Sequence, residues 1–366
     1  MTIFQDLIDN KFKCVMALSN TTKERISIEV IKTLVTRFES FPEDASKNRN
    51  APFHEAFLKA FSNKLEGKVS DTSFFISLSS WLQGLNTTLG QTFFENVAHI
   101  LSNGEKREYT SKKIGNRPIT QTQRNHISQI VADLSNSSAL PDLEKENQLI
   151  FVNYPTSQIN AMDFTADVFF EEANSITAIE LKSVKPNSGE MKGEKQKILE
   201  GKAALFNLFP GKQINFYIGF PFDPTVNPTT ESVTSYNKKR FLGSIINMNK
   251  FFAPDETLVA SELWDFLSGE ENTMEEILEI INTISTTSFI DKFLLINDDS
   301  KKNTPEYIAQ LTEWNLISEI ELIKKQLIIF KKICRNTRLT RIYNKKSFDT
   351  KGNYNWDRYN ELKQLY

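Results

Sequence analysis

Two cysteines in 366 residues, Cys14 and Cys334, are too few for a disulfide framework or a four-thiolate zinc site. No stretch approaches the roughly 18 consecutive apolar residues of a membrane-spanning helix, so no membrane partner is expected. With 13 Gly and 12 Pro the chain is neither collagen-like nor of low complexity. The segment MTIFQDLIDNKFK carries Asp6 and Asp9 and lacks the apolar centre and small-residue cleavage site of a secretory signal. A reducing, cytoplasmic setting is the expectation. An excess of one charge is also missing, since 44 Lys+Arg stand against 46 Asp+Glu for a net charge of −2. What remains, 39% hydrophobic and 25% charged residues, describes a globular chain. Phe, at 28, predicts aromatic-rich cores. The length allows one large domain or two to three smaller ones.

The balanced total hides an uneven distribution. Asp255–Glu279 holds nine acidic residues and no Lys or Arg; Lys324–Lys346 holds nine basic residues and no Asp or Glu. A second basic stretch runs through Lys106, Arg107, Lys112, Lys113, Arg117 and Arg124. Each run alone reads as a solvated face. Two basic runs in one chain point modestly toward a polyanionic partner.

Periodicity divides the chain into three segments. Residues 1–140 read as an N-terminal helical region. Its stripes are Ile26, Ile28, Val30, Ile31, Leu34, Val35 and Phe38; then Phe53, Phe57, Phe61 and Leu65 after Pro52; then Phe74, Phe75, Leu78, Trp81 and Leu82; then, past Gly90, Phe93, Phe94, Val97, Ile100 and Leu101. The polar stretch Asn103–Pro118 reads as an exposed loop. Residues 141–250 change pattern. Gln148–Asn153 is β-rich, Asp167–Phe170 and Ile176–Val184 form a hairpin-like pair, Lys192–Leu208 is helical and Gln213–Phe220 is a buried strand. Strand, strand, helix, strand is the order of an α/β core. Residues 251–366 read as a C-terminal helical, basic region.

The informative segment is Asp167 in one strand and Glu180-Leu181-Lys182 in the next. A turn at Ala173-Asn174 sets Asp167 opposite Glu180; a turn at Asn174-Ser175 sets it opposite Lys182. Either register gathers the three side chains, and Glu180 and Lys182 share a face because strand side chains alternate. Two carboxylates and a backbone carbonyl offer hard oxygen ligands to Mg²⁺, and a neighbouring lysine can position or help deprotonate a water. These are minimum parts for phosphodiester hydrolysis without His or Cys. An amphipathic hairpin with a cross-strand salt bridge is the plainer alternative. Against it, the strand around Glu180 is otherwise apolar, so its charge needs a partner or a metal. A helix bearing Lys192, Lys195, Gln196, Lys197 and Lys202 follows, as a phosphate-facing helix would, and then a further strand.

Asp167 with Glu180-Leu181-Lys182 resembles the active site of the PD-(D/E)xK nuclease superfamily. Arg49–Glu55, Asp167–Phe170, Glu180–Asn187, Gly219–Pro224 and Glu262–Gly269 together resemble the TdeIII-like group of type II restriction endonucleases. Ala166 stands where the motif is usually written with Pro. The resemblance implies an α/β (α+β) fold, a mixed β-sheet core flanked by large helical regions. It implies Mg²⁺ bound by Asp167 and Glu180 with help from the Leu181 carbonyl, and Lys182 orienting and activating the attacking water. It implies cleavage of double-stranded DNA to 5′-phosphate ends at a short palindrome, GGNCC-like, by a homodimer with a cognate DNA methyltransferase as genetic partner. Related nucleases often add a glutamate from an upstream helix. Glu55 is the candidate, and a helix N-terminal carboxylate is its equally weighted alternative. Asp163 is the rival of Asp167, about 13 Å further along an extended strand. His54 reads as a packed helix residue.

Candidate DNA contacts are Lys185 and Asn187 after the catalytic strand, and Lys195 and Lys202 seven apart on one helix face. Arg335, Arg338 and Arg341, spaced by three, form the last group. A structure-specific or repair nuclease of the same superfamily and a catalytically inert DNA-binding module are the competing functions.

Overall fold

The computed structural model describes residues 17–42, 51–69, 71–183 and 190–366. The chain forms two compact units, one from Phe94–Ile277 with the described residues before Ser19, the other from Ser19–Phe93 and Leu278–Tyr366. These units cut across the segments 1–140, 141–250 and 251–366, because both helical ends of the chain contribute to the second unit.

The first unit is built on a five-stranded sheet. Helix α1 (Phe94–Ser102) leads into β1 (Glu105–Tyr109); β2 (Pro118–Thr120) is followed by α2 (Gln121–Ser135) and α3 (Leu143–Ile150). Then come β3 (Gln158–Asn160), β4 (Phe164–Glu171), β5 (Ser175–Leu181), α4 (Glu190–Leu208), β6 (Gln213–Phe220), β7 (Thr257–Val259) and α5 (Ser261–Ser268). The sheet order is β1-β4-β5-β6-β7; β2 and β3 form a separate two-stranded ladder. The pairs β1/β4 and β4/β5 are antiparallel, while β5/β6 and β6/β7 are parallel. A mixed sheet follows from the connections: three residues suffice to turn β4 into β5, whereas parallel β5 and β6 need α4 as a crossover.

The sequence explains both steps. Val168, Phe169, Ile176 and Ile179 are β-formers and are buried. Glu172 closes the hairpin by donating its N–H to the Ser175 carbonyl at 2.9 Å. Strand β5 is covered on both faces, so Ile176, Thr177, Ala178 and Ile179 are all buried. Helix α4 buries Met191, Ile198, Leu199, Ala203, Ala204 and Leu205. It approaches the sheet closely through Gly201, where a Cβ would stand 2.7 Å from the Phe216 ring.

Three expectations are corrected. Part of the stretch expected as a loop is β1, an edge strand whose Glu-Lys-Arg-Glu composition suits a position where one ladder edge meets solvent. Gln148–Asn153 is no strand; its first residues end α3, started by the Asp142 side chain accepting from Lys145 N–H. Gly90 does not break the chain but lies in a π-helical turn, Leu89–Phe93.

The second unit is described by helices, among them Asn20–Glu39, Pro52–Leu58, Thr72–Thr88, Ile317–Lys324, Thr337–Tyr343 and Trp356–Lys363. Phe289 stacks on Trp314 at its centre, and buried Glu319 is held by Arg358 and the Tyr354 hydroxyl, each at 2.6 Å. Pro52 opens its helix as the sequence predicts, but Phe53, Phe57 and Phe61 face outward, Phe53 being 79% exposed. No described helix is long and apolar enough to cross a membrane.

Candidate active site

Asp167 and Glu180 come together through the β4/β5 ladder. Val168 pairs with Ile179 and Phe169 with Ala178, so the next step sets Asp167 opposite Glu180, the first of the two registers considered. The Leu181 N–H, at the end of β5, donates to Asp167 Oδ2 at 2.9 Å. Lys182, one residue beyond the strand, donates its own N–H to the Gly219 carbonyl on β6 and carries its ammonium back to Glu180 Oε1 at 3.1 Å. The three groups named by the motif therefore gather around the C-terminal end of β5, the strand at which the antiparallel and parallel parts of the sheet meet.

The site contains more than those three. Helix α4 brings buried Glu194, whose Oε1 is 3.3 Å from Lys182 Nζ and 3.1 Å from Lys197 Nζ. Helix α1 brings Glu95 and His99, one turn apart and hence on one face. Strand β1 brings Lys106, whose ammonium lies 3.1 Å from Asp167 Oδ1 and 3.0 Å from Glu95 Oε2. His99 Nε2 donates to the Asp167 carbonyl at 2.7 Å. Glu95, His99, Lys106 and Glu194 were missed from sequence. The pattern Glu-x-x-x-His on the helix of Phe94, Val97 and Leu101 was the available signal for two of them.

A bulge produces this geometry. Glu105 pairs with Phe169 and Arg107 with Ala166, so Asp167 and Val168 together face the single residue Lys106. Bulges re-aim side chains, and this one turns Asp167 toward both Glu180 and Lys106. Gly104 permits the approach: a Cβ there would stand 2.8 Å from the Phe169 carbonyl oxygen.

The electrostatics follow from the crowding. Burial first, then the charges of Asp167 and Glu194, push Glu180 up to about 7 against the pull of Lys182. Burial lowers the Lys182 ammonium, but Glu180 and Glu194 outweigh it and hold the group above the usual lysine value. The same holds for Lys106, where burial is outweighed by Asp167 and Glu95. Glu95 itself is raised by burial and by Asp167, against Lys106. Both lysines are thus firmly cationic. Lys182 is suited to donate hydrogen bonds and stabilise negative charge rather than to accept a proton.

Other expected residues fall elsewhere. Lys195 and Lys202 are not DNA-facing: they are 0% and 1% exposed. Lys195 Nζ lies 2.5 Å from Glu146 and 2.8 Å from Glu256; Lys202 Nζ lies 3.6 Å from Glu256. Spacing by seven did place them on one face, but it is the face packed inward, and each charge there needs a partner. Glu55 belongs to the second unit and accepts a hydrogen bond from the Ser73 hydroxyl at 3.1 Å. The upstream-helix carboxylate placed beside Asp167 is Glu95. Asp163 lines a cavity with Glu180 and Glu194 and is held by Asn116. His54 is exposed. Arg335, Arg338 and Arg341 are exposed in the second unit, but they do not share one helix: Arg335 precedes the capping residue Asn336. Arg338 is paired with Glu361 at 2.6 Å. Lys185 and Asn187 lie outside the described residues. Trp264 is core, its indole N–H donating to the Pro221 carbonyl at 2.8 Å.

Comparison with known proteins identifies the family. Residues 18–285 match the family model described as type II restriction endonuclease, HinfI. The chain is 44% identical to a protein of Methanocaldococcus jannaschii named type II restriction enzyme MjaII, over 374 residues that cover 96% of this chain and 98% of that one. The matching model is of the HinfI type, where the sequence segments resembled the TdeIII-like group; both are groups of type II restriction endonucleases. The inert-module alternative is set aside. With an acid pair and a lysine converging at a sheet junction and a family model covering most of its length, the chain belongs to the HinfI family of type II restriction endonucleases, enzymes that cut DNA at specific sites.

Proposed function

We propose that this enzyme hydrolyses the DNA backbone at the Asp167–Glu180–Lys182 cluster with Mg²⁺ as its cofactor. The observation that carries the reading is the cross-strand pairing of two carboxylates with a lysine one step beyond. The donor set fits the ion. Among the described residues no group of three or more His, Cys, Asp and Glu side chains is arranged to hold a metal. Two carboxylates are what Mg²⁺ requires when waters and a substrate phosphate complete its shell. The Lys106 and Lys182 ammoniums already stand against these carboxylates, so the pocket accepts cations.

Asp167 and Glu180, with the Leu181 carbonyl, are the proposed ligands. Glu95 replaces Glu55 as the upstream-helix carboxylate. Held by these residues, Mg²⁺ would supply Lewis-acid polarisation of the phosphate and acidification of the attacking water. The chain's own residues do the rest. Lys182, kept protonated by Glu180 and Glu194, orients the water by donating to it and stabilises charge on the phosphate. Glu194 fixes the ammonium, and His99 fixes the backbone of Asp167. Arg335, Arg338 and Arg341 are proposed to meet phosphates in the second unit, with Arg338 exchanging Glu361 for DNA. A homodimer reading a GGNCC-like palindrome, protected by a cognate methyltransferase, completes the proposal, since two-fold protein symmetry matches two-fold site symmetry.

Incubation with unmethylated plasmid tests it. Discrete fragments are expected with Mg²⁺ and none with a chelator. Lys182→Ala is expected to lose cutting while still shifting DNA on a gel. Unchanged cutting by that variant would remove Lys182 from the mechanism, and smeared products would remove the specific site.

A further inference from the structure

Asp167 has both carboxylate oxygens committed. Oδ2 accepts the Leu181 N–H at 2.9 Å, and Oδ1 is 3.1 Å from Lys106 Nζ. The same ammonium is held by both oxygens of Glu95, at 3.1 and 3.0 Å. It reaches there from the edge strand, at the one point where the β1/β4 register shifts, so its position is fixed by backbone geometry and not by a long mobile stem alone. Lys106 thus fills the place between two acids that a divalent cation would take.

We infer that Lys106 is the resident counter-ion of Glu95 and Asp167, an ammonium that must leave them before they can bind a divalent metal. The inference rests on the reading of Asp167 as a metal ligand. Its physical consequence is a raised threshold for metal binding. A bare ion must displace a cation held by two carboxylates. An ion arriving together with a DNA phosphate gains an additional anionic ligand and overcomes that competition. Lys106 is a positioning residue in this account, and it makes metal loading depend on substrate.

The test is a Mn²⁺ titration of the DNA-free protein, read by loss of the free-ion EPR signal. Lys106→Met keeps the length of the side chain and removes its charge, and it should bind Mn²⁺ at least about tenfold more tightly than the natural chain, on the scale of one lost charge-assisted competitor. Equal or weaker binding, including none by either protein, overturns the inference. Asp167→Asn separates this from the underlying reading. If that variant keeps its Mn²⁺, the ion is not at Asp167 and the reading of the site fails. If it loses the ion while Lys106→Met behaves as the natural chain, only the role of Lys106 fails. A second measurement needs no variant. Amine acetylation of the natural protein, quantified by peptide mass spectrometry at Mn²⁺ concentrations above the midpoint of that titration, should label Lys106 several-fold faster than with a chelator, and unchanged or slower labelling overturns the inference.

Discussion

His99 Nε2 donates to the carbonyl oxygen of Asp167 across 2.7 Å, from a helix to the bulged residue of a strand. The bond fixes the backbone from which the acid projects. His99→Ala leaves that carbonyl without its donor, at a cost of about 1–3 kcal/mol. A lower melting temperature and slower cutting are expected, and His99→Gln, which can still donate, should recover part of both. Calorimetry and plasmid cleavage on the two variants decide it; an Ala variant as stable and active as the parent would show the bond to be idle.

Glu194 was invisible in the motif but is the second acid on Lys182. Glu194→Gln keeps shape and removes charge. Loss of one charge-assisted hydrogen bond, about 1.5–3 kcal/mol, should slow cleavage roughly 10–100-fold. The fall should be in kcat, with gel-shift affinity for DNA nearly unchanged. A loss confined to DNA affinity would instead place Glu194 in binding.

Glu180 gives the metal-free protein a pH signature. Its carboxyl is pushed up to about 7 in the fold, by burial and by Asp167 and Glu194 facing it, with Lys182 opposing. In the unfolded chain it returns to about 4.3. Between those values the fold holds a proton that the unfolded chain has released. Its stabilising share is therefore full below about 4.3 and is lost as pH rises through about 7. Glu95, also raised, acts in the same direction. The melting temperature of the natural chain relative to Glu180→Gln should drop as pH rises from about 5 to about 8. A difference that stays constant over that range would contradict the assignment.

Lys195 is a core residue, and its variant should behave as one. Lys195→Met strands Glu146 and leaves Glu256 with Lys202 as its remaining cation, and breaking such a buried arrangement costs about 3–5 kcal/mol. Thermal stability or soluble yield should fall sharply. In whatever folded protein remains, the salt dependence of DNA binding should match the parent, because no phosphate contact has been removed.

These cases show which parts of the molecule its sequence discloses. Strand β6 runs over Gln213–Phe220, where its reading as a buried strand ended by Pro221 sets it, and the hairpin of β4 and β5 was readable from its turn residues, which left its register open. Lys195 and Lys202 could be assigned to a common face but not to the correct side, because their partners come from α3 and from the segment before β7. Lys106 escaped for a related reason. A short, highly charged edge strand has almost no apolar pattern, and a bulge is a property of two strands together. Glu55 and Glu95 both sit on upstream helices, and only tertiary structure selects between them.

The two-against-one pairing at Asp167 and Val168 also dictates what kind of change this enzyme can survive. Exchange of one side chain for another alters local chemistry and leaves the ladder standing. Removal of a single residue from β4 between Ala166 and Phe169 would cancel the offset and invert the inside-out order of everything upstream on that strand. Catalysis is therefore written here in chain length as well as in residue identity.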